Sequence, residues 1–319
     1  MTLFVIRRLV LGLVVLWAIT ALVFVMFFVA PHNVARTIAG RQATPDTVEL
    51  VKHRLGLDRP VLDQYGAYMR RLVEGDLGYS FYSSTSVNSL IWERVPVTMS
   101  LAIGAAIIWL VLGVSAGVLA AVRPRTLLDR TVTVTALFFY SMPGFLLGVI
   151  FLYFLFFRLH LAGFGFFPAS GYVALTSDPF EWARHLILPW LTIALVAAAT
   201  YSRLTRASML DVLGEDYIRT ARAKGLTERR IVYRHGLRSA VTPVVTQFGI
   251  DLGTLLGGVI IVENIFGLPG LGQLAVQSVT NQDLPAIIGT VIVASACIVV
   301  ANILVDISYA LLDARVRVH

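Results

Sequence analysis

The sequence predicts an all-α, polytopic membrane protein with six transmembrane helices and both termini in the cytoplasm. Three observations carry that prediction. Hydrophobic residues make up 57% of the chain and charged residues only 14%, whereas a soluble domain carries about 25% charged residues. Uncharged runs long enough to cross a bilayer recur along the chain. Arg and Lys also alternate from side to side: 16 fall on the four segments expected inside and 2 on the two short segments expected outside. That bias sets orientation, and the long external segment is left out because long segments cross largely regardless of charge.

The elements follow in order. Leu9 to Ala30 is uncharged and preceded by Arg7 and Arg8. It exceeds the apolar core of a cleaved signal peptide, about 7–15 residues, so residues 1–30 are expected to hold the N-terminus and an uncleaved first span. Residues 31–96 form a long polar segment, expected to be external and helical. One helix starts at Thr44-Pro45, carries Val48, Val51 and Leu55 on one face, and ends at Gly56. A second follows Pro60 with Leu62, Tyr65, Met69 and Leu72 as its apolar stripe, and stops near Gly75.

Val97 to Val122 is the second expected span and Thr131 to Phe157 the third, the latter broken by Pro143-Gly144, which should kink or loosen the helix. Asp178-Pro179 followed by Glu181 reads as a helix start, and Leu186 to Ser202 is the fourth span. Ser239 to Val262 is the fifth, with Gly249, Gly253 and Gly257 spaced for close helix contact. Ile265 to Leu274 is read as a short re-entrant or gate-lining piece. Pro285 to Val305 is the sixth span, and Arg315 and Arg317 lie in the cytoplasmic tail, residues 313–319.

Between the fourth and fifth spans lies the densest cationic stretch of the chain. Residues 203–238 hold nine Arg or Lys and four acids. A helix is expected from about Glu215 to Lys224, acidic at its start and basic at its end, as the helix dipole favours. Gly225 supplies the positive φ that commonly ends a helix. Thr227 then caps the next helix, with Glu228 in its first turn and Arg229 to Arg238 continuing it. Tyr217, Ala221 and Lys224 recur at helical spacing as one docking face.

This stretch resembles the cytoplasmic coupling loop of ABC-importer permeases, in the branch that imports di- and oligopeptides. The resemblance lies in DYIRTARAKGL (Asp216 to Leu226) and ERRIVYRHGLRSAVTPV (Glu228 to Val244). The general family motif has Glu-Ala-Ala before a glycine and Ile-x-Leu-Pro after it. Aligned on Gly225, the chain keeps Ala221, Gly225 and Leu237. It has Arg219, Thr220, His235 and Arg238 at the other positions, as the peptide branch usually does. Similar words extend over nearly the whole chain: LGLDRP (Leu55 to Pro60), GDLGYS (Gly75 to Ser80), FPASG (Phe167 to Gly171), LLGGVIIVENIF (Leu255 to Phe266) and VDISYALLDARVR (Val305 to Arg317).

The resemblance implies an ABC type I importer permease fold with its core over residues 97–312 and its coupling loop over 203–238. It implies a second homologous permease subunit, two ABC ATPase domains on the cytoplasmic face and an external substrate-binding protein. It also implies a peptide substrate, a bilayer setting, alternating access, and no nucleic-acid partner. Tyr217, Thr220, Ala221, Lys224, Gly225, Leu226, Arg229, His235 and Leu237 become candidate ATPase-coupling residues. Asp251, Ser141, Pro143, Glu263 and Asn264 become candidates for the translocation path.

The residues carry no catalytic, cofactor or metal site of their own by this reading. A phosphate loop needs Lys followed by Ser or Thr, but Lys52 precedes His53 and Lys224 precedes Gly225. ATP and Mg²⁺ are therefore expected on partner subunits. Gly113-Val114-Ser115-Ala116-Gly117 fits the hydrolase pattern Gly-x-Ser-x-Gly, but it lies within a span, where close packing accounts for the glycines. The six histidines never fall at metal-ligand spacing, and Cys297 is alone, so no internal disulfide forms.

Asp251, an acid inside a span, has three open readings: contact with a substrate amine, a structural pairing, or a proton relay. The last would make the chain a proton-coupled secondary carrier, a rival that the single acid and the elaborate cytoplasmic loop disfavour. Within the family, haem or nickel are alternative cargoes to peptides.

Overall fold

A computed structural model describes residues 2–29, 34–39, 43–55, 58–80 and 82–312. It is mostly helical. Along the chain α1 is Thr2–Phe24, extended by a π-helical turn over Val25–Val29. The helices α2 (Val34–Ala39), α3 (Pro45–Leu55) and α4 (Val61–Val73) follow. A two-residue antiparallel pair, β1 (Tyr79–Ser80) with β2 (Thr85–Ser86), precedes α5 (Val87–Val122). Then come α6 (Leu127–Ser141), α7 (Gly144–Phe151) with a π segment over Leu152–Arg158, and α8 (Leu159–Leu161). The long α9 (Pro179–Leu213) leads to α10 (Asp216–Ala223), α11 (Glu228–Arg230), a π segment over Ile231–Gly236, and α12 (Leu237–Ala240). The chain continues through α13 (Thr242–Ile265), α14 (Leu271–Asn281) and α15 (Leu284–Leu312). The expected tail, residues 313–319, and the expected helix end at Gly56 lie outside the described residues.

Among the described residues, five helical stretches are long and apolar enough to cross a membrane: Val5–Val29, Val87–Val122, Gly144–Leu161, Pro179–Leu213 and Leu284–Ile307. The segment expected as the fifth span is helical, as α13. It falls outside those five and carries Gln247, Asp251, Glu263 and Asn264 in its 24 residues.

Two boundaries differ from expectation. Helix α5 starts at Val87, ten residues before the predicted span, and runs through Pro96. At the expected break in the third span the helix is interrupted outright, giving two helices. Met142 is extended at φ −91°, ψ 127° and Pro143 at φ −58°, ψ 130°. Proline disfavours the α region for the residue before it, so α6 stops at Ser141 and α7 restarts at Gly144.

The chain divides into two compact units. The first comprises residues 1–98 and 269–303. Its core gathers Val23, Phe24, Val51, Tyr68, Leu284 and Ile288, with Tyr65, Met69 and Leu72 packed against it. Phe24 meets Tyr65 edge-on at 5.2 Å and stacks on Phe28 at 5.3 Å. The predicted stripe of α4 therefore holds for three residues. Leu62 is 84% exposed instead, and Tyr68 takes the buried place. Asp283, buried, accepts a hydrogen bond from Ser80 Oγ and stands at the start of α15, where Ile287 N–H reaches its carbonyl.

The second unit comprises residues 99–268 and 304–319, and α9 is its spine. Asp178 caps α9 by accepting from the N–H groups of Phe180 (2.9 Å) and Glu181 (3.1 Å), as the Asp-Pro-x-Glu pattern predicts. Three glycines of α5 lie against α9. A Cβ at Gly104 would sit 2.2 Å from the Trp190 ring, one at Gly113 would lie 2.5 Å from Tyr201 Cβ, and one at Gly117 would lie 2.6 Å from Ser202 O. The Gly-x-Ser-x-Gly pattern is thus a packing stripe on a helix. Gly249 of α13 similarly faces Val305, with 3.0 Å left for a Cβ. Gly253 and Gly257 lie outside the residues whose side chains are described.

Candidate functional site

The cationic stretch folds as a small module of its own. Helix α9 ends at Gly214, and Glu215, extended at ψ 151°, opens α10. The end of α10 is a Schellman turn: Gly225 N–H donates to Arg222 O (2.9 Å) and Leu226 N–H to Ala221 O (3.3 Å). Gly225 has φ +76°, the left-handed conformation that costs other L-residues roughly 1–2 kcal/mol. A Cβ there would meet nothing within 4 Å, so backbone conformation rather than space selects glycine. Across the turn, Arg222 Nε reaches Glu228 Oε1 at 2.8 Å. Thr227 holds the N-cap position of α11 but makes no side-chain cap bond. The expected cap is therefore positional only, and Ile231 N–H bonds the Thr227 carbonyl instead at 3.0 Å.

Inside this module Ile218, Ala221 and Ile231 form a buried cluster, joined by Leu213 and Leu226. The next residue, Val232, faces a second cluster with Val118 and Ala121 of α5, Met209 of α9 and Ala240 of α12. Two consecutive residues thus tie α10 to the module's base and the module to the ends of α5 and α9. Tyr217 Oη donates to Ser239 Oγ at 3.2 Å, linking α10 to α12.

The predicted coupling residues divide by exposure. Tyr217, Thr220, Lys224, Gly225 and Arg229 are exposed, Leu226, His235 and Leu237 are half-buried, and Ala221 is buried. The expected docking face of Tyr217, Ala221 and Lys224 is therefore split, because Ala221 turns inward onto Ile218 and Ile231. Ala221 is a base for the outward residues, not a member of their surface.

The translocation candidates do not form one cluster. Ser141 and Pro143 flank the α6–α7 break and are exposed. Asp251 is half-buried: Gln247 Nε2 donates to its Oδ1 at 2.9 Å, and it acts electrostatically on the buried Tyr201 phenol. Tyr201 in turn contacts Trp109, ring centroids 6.0 Å apart. Asn264 is exposed and donates to Ile260 O at 2.7 Å. Glu263 is fully buried, so in this arrangement it lines no open surface.

One polar contact escaped the sequence reading. Arg206 grips Asp129 with both nitrogens, Nε to Oδ1 at 2.6 Å and Nη2 to Oδ2 at 2.8 Å. The Arg125 N–H, at a residue with φ +64°, donates to the same carboxylate at 2.9 Å. The Arg206 hydrogen bonds, then the Arg125 N–H, pull Asp129 down to about 2, outweighing the opposing effect of desolvation. This clamp fastens the α5–α6 connection to α9 some ten residues before α10. The local sequence signalled only the helix start, since Thr126 and Asp129 stand three apart at the beginning of α6, close to the spacing of a capping box; it carried no sign of Arg206.

Comparison with known proteins bears on the family and the fold. The family described as binding-protein-dependent transport system inner membrane component matches residues 113–318, and its N-terminal companion family matches residues 1–102. A peptide transport system permease protein of Brucella abortus (strain 2308) is 39% identical over 317 residues, covering 99% of each chain. The glutathione transport system permease protein GsiC of Escherichia coli (strain K12) is 39% identical over 315 residues, covering 98% of each. A chain of the MetNI methionine ABC transporter in an inward-facing crystal form shares the fold. Its TM-score is 0.54 and its identity 23%, over 70% of this chain and 96% of that one.

Proposed function

This chain belongs to the family of inner membrane components of binding-protein-dependent transport systems, and from that premise we propose that it is one of two permease subunits of a peptide importer driven by separate ATPases. It is a multi-pass permease of the ABC importer class, a class that works with ATPase subunits and a binding protein. Our reading adds a second, homologous permease as partner, six spans with both termini inside, and ATP and Mg²⁺ held by the ATPases. It also adds short peptides as cargo, supported by the names of the relatives.

The observation that carries the mechanism is the 214–240 module. Its exposed residues rest on the Ile218–Ala221–Ile231 core, and that core is anchored through Val232 to α5 and α9. A push on the module therefore reaches two long helices directly. Coupling by a rigid segment to a packed pair of rods needs such an element. In this reading, closure of the ATPases displaces the module, and α5 and α9 carry the displacement into the spans.

The test replaces Gly225 with Arg. The exposed turn accepts the side chain without a clash, while the positive φ and the bulk disturb the docking surface. The expected result is a fully inserted subunit that no longer retains the ATPases on affinity purification and supports no ATP-dependent peptide uptake. Normal attachment with normal uptake would remove the module from the coupling path. Identification of the ligand bound to the intact complex with its binding protein tests the cargo.

Asp251 is proposed to bias the charge of the cargo, since its carboxylate lies within a helix of apolar neighbours and is held by Gln247. Asp251→Asn should lower uptake of peptides with an added positive charge at least threefold relative to neutral ones. Equal uptake of both classes before and after the change would refute that role.

A further inference from the structure

The first unit contains a partly open cavity of about 470 Å³, within the ~300–1,000 Å³ range of small-ligand sites. None of the coupling or path residues lines it. Two of its walls are ends of candidate membrane spans: Phe28 near the end of Val5–Val29, and Pro285 and Ile288 at the start of Leu284–Ile307. The other walls come from α3, α4 and the stretch from Asp76 to Ser86 that follows α4 in the polar segment, which places the cavity where hydrocarbon gives way to headgroups.

Its polar lining is unusual. Tyr68 is 6% exposed, lines the cavity, and its hydroxyl has no hydrogen-bond partner. Buried polar atoms normally find a partner, and burial raises this phenol's pKa, so the hydroxyl stays protonated as a donor. Arg71, three residues on, also lines the cavity and acts on Tyr68. Its guanidinium makes no hydrogen bond or ion pair among the described residues, whereas the neighbouring Arg70 is engaged by Glu74 at 2.8 Å. Asp76 lines the same cavity, with Oδ1 accepting the Gly78 N–H at 2.9 Å.

We propose that this cavity binds one zwitterionic phospholipid. An acyl chain lies against Phe28 and Ile288, the phosphate receives hydrogen bonds from Tyr68 Oη and the Arg71 guanidinium, and the headgroup ammonium pairs with Asp76. Two donors and one carboxylate on a mainly apolar wall, with the hydroxyl-bearing Thr47, Tyr79 and Ser86 beside them, match such a head better than an anionic one. A single anion would satisfy Arg71 and be repelled by Asp76.

The full-length protein, purified in detergent and delipidated, is titrated with dioleoyl phosphatidylethanolamine and, separately, dioleoyl phosphatidylglycerol, and lipid adducts are counted by native mass spectrometry. Wild type should hold one phosphatidylethanolamine and prefer it over phosphatidylglycerol at least fivefold. Arg71→Gln should weaken it at least tenfold, and Asp76→Asn should erase the preference. Leu50→Trp, which narrows the cavity from one wall, should weaken binding of both lipids. Should that bulky change prevent folding, the two polar variants, at half-buried and exposed positions, carry the test alone. Binding unchanged in Arg71→Gln, a preference for phosphatidylglycerol in wild type, or displacement of the lipid by a zwitterionic dipeptide would each overturn the assignment.

Discussion

Helices α5 and α9 meet through missing side chains, whereas the 214–240 module coheres through present ones. Along α5, Gly104, Gly113 and Gly117 bring the backbone against Trp190, Tyr201 and Ser202 with no room for a Cβ. In the module, Ile218, Ala221 and Ile231 form a small buried core beneath exposed Arg219, Arg222, Arg229 and Arg230. The contrast follows from the surroundings. Lipid is as apolar as Leu, so helices in a bilayer associate by close packing and not by hydrophobic burial. A segment facing water has the hydrophobic effect available, and a buried Ile contributes about 1.5–3 kcal/mol. The rods are therefore rigid because they touch closely, and the module is compact because its apolar residues leave water.

The sharpest break in this comparison is a side chain forced into the rod contact. Gly117→Leu would drive its Cβ into Ser202 O and Thr205 Cβ, both at 2.6 Å. We expect a loss of about 3 kcal/mol, read as a fall in the thermal midpoint of detergent-extracted protein and in its yield. An unchanged midpoint would mean the helices are not in contact there.

A smaller and more local effect is expected in the module. Ile231→Ala removes a fully buried side chain from a cluster small enough to collapse, at a cost of about 2 kcal/mol. Amide exchange should rise over 216–240 while α5 and α9 stay protected. Equal loss of protection in the rods would show that the two regions are one cooperative unit.

The finest effect concerns the clamp between the α5–α6 connection and α9. Asp129 is held at about 2, below the 3.8 of a free aspartate. A carboxylate with a depressed folded pKa stabilises the fold fully above the unfolded value and loses that contribution as pH falls through the folded one. The wild type should therefore soften between about pH 4 and pH 2, and Asp129→Asn should flatten that window. Thermal midpoints measured across it in both proteins check the sign. A window of the same depth in the variant would assign it to other carboxylates.

How far the sequence could be read depended on the range of the interaction. Composition and the uncharged runs determined the class, because a bilayer demands them whatever the packing. Some local signals held because they are short in range: Asp178 capping α9 and Gly225 ending α10 are decided within five residues, whereas Thr227 took its cap position without the side-chain bond. The sequence could not say that Pro143 would split a span in two, since a kinked helix and a broken one share one pattern and neighbouring contacts choose between them. It could not turn Ala221 inward, because helical spacing names a face but not which side that face meets. Nor could it join Asp129 to Arg206, 77 residues apart, or strand the Tyr68 hydroxyl in a cavity. Those outcomes need two distant segments to arrive at one place, and only the tertiary structure brings them there.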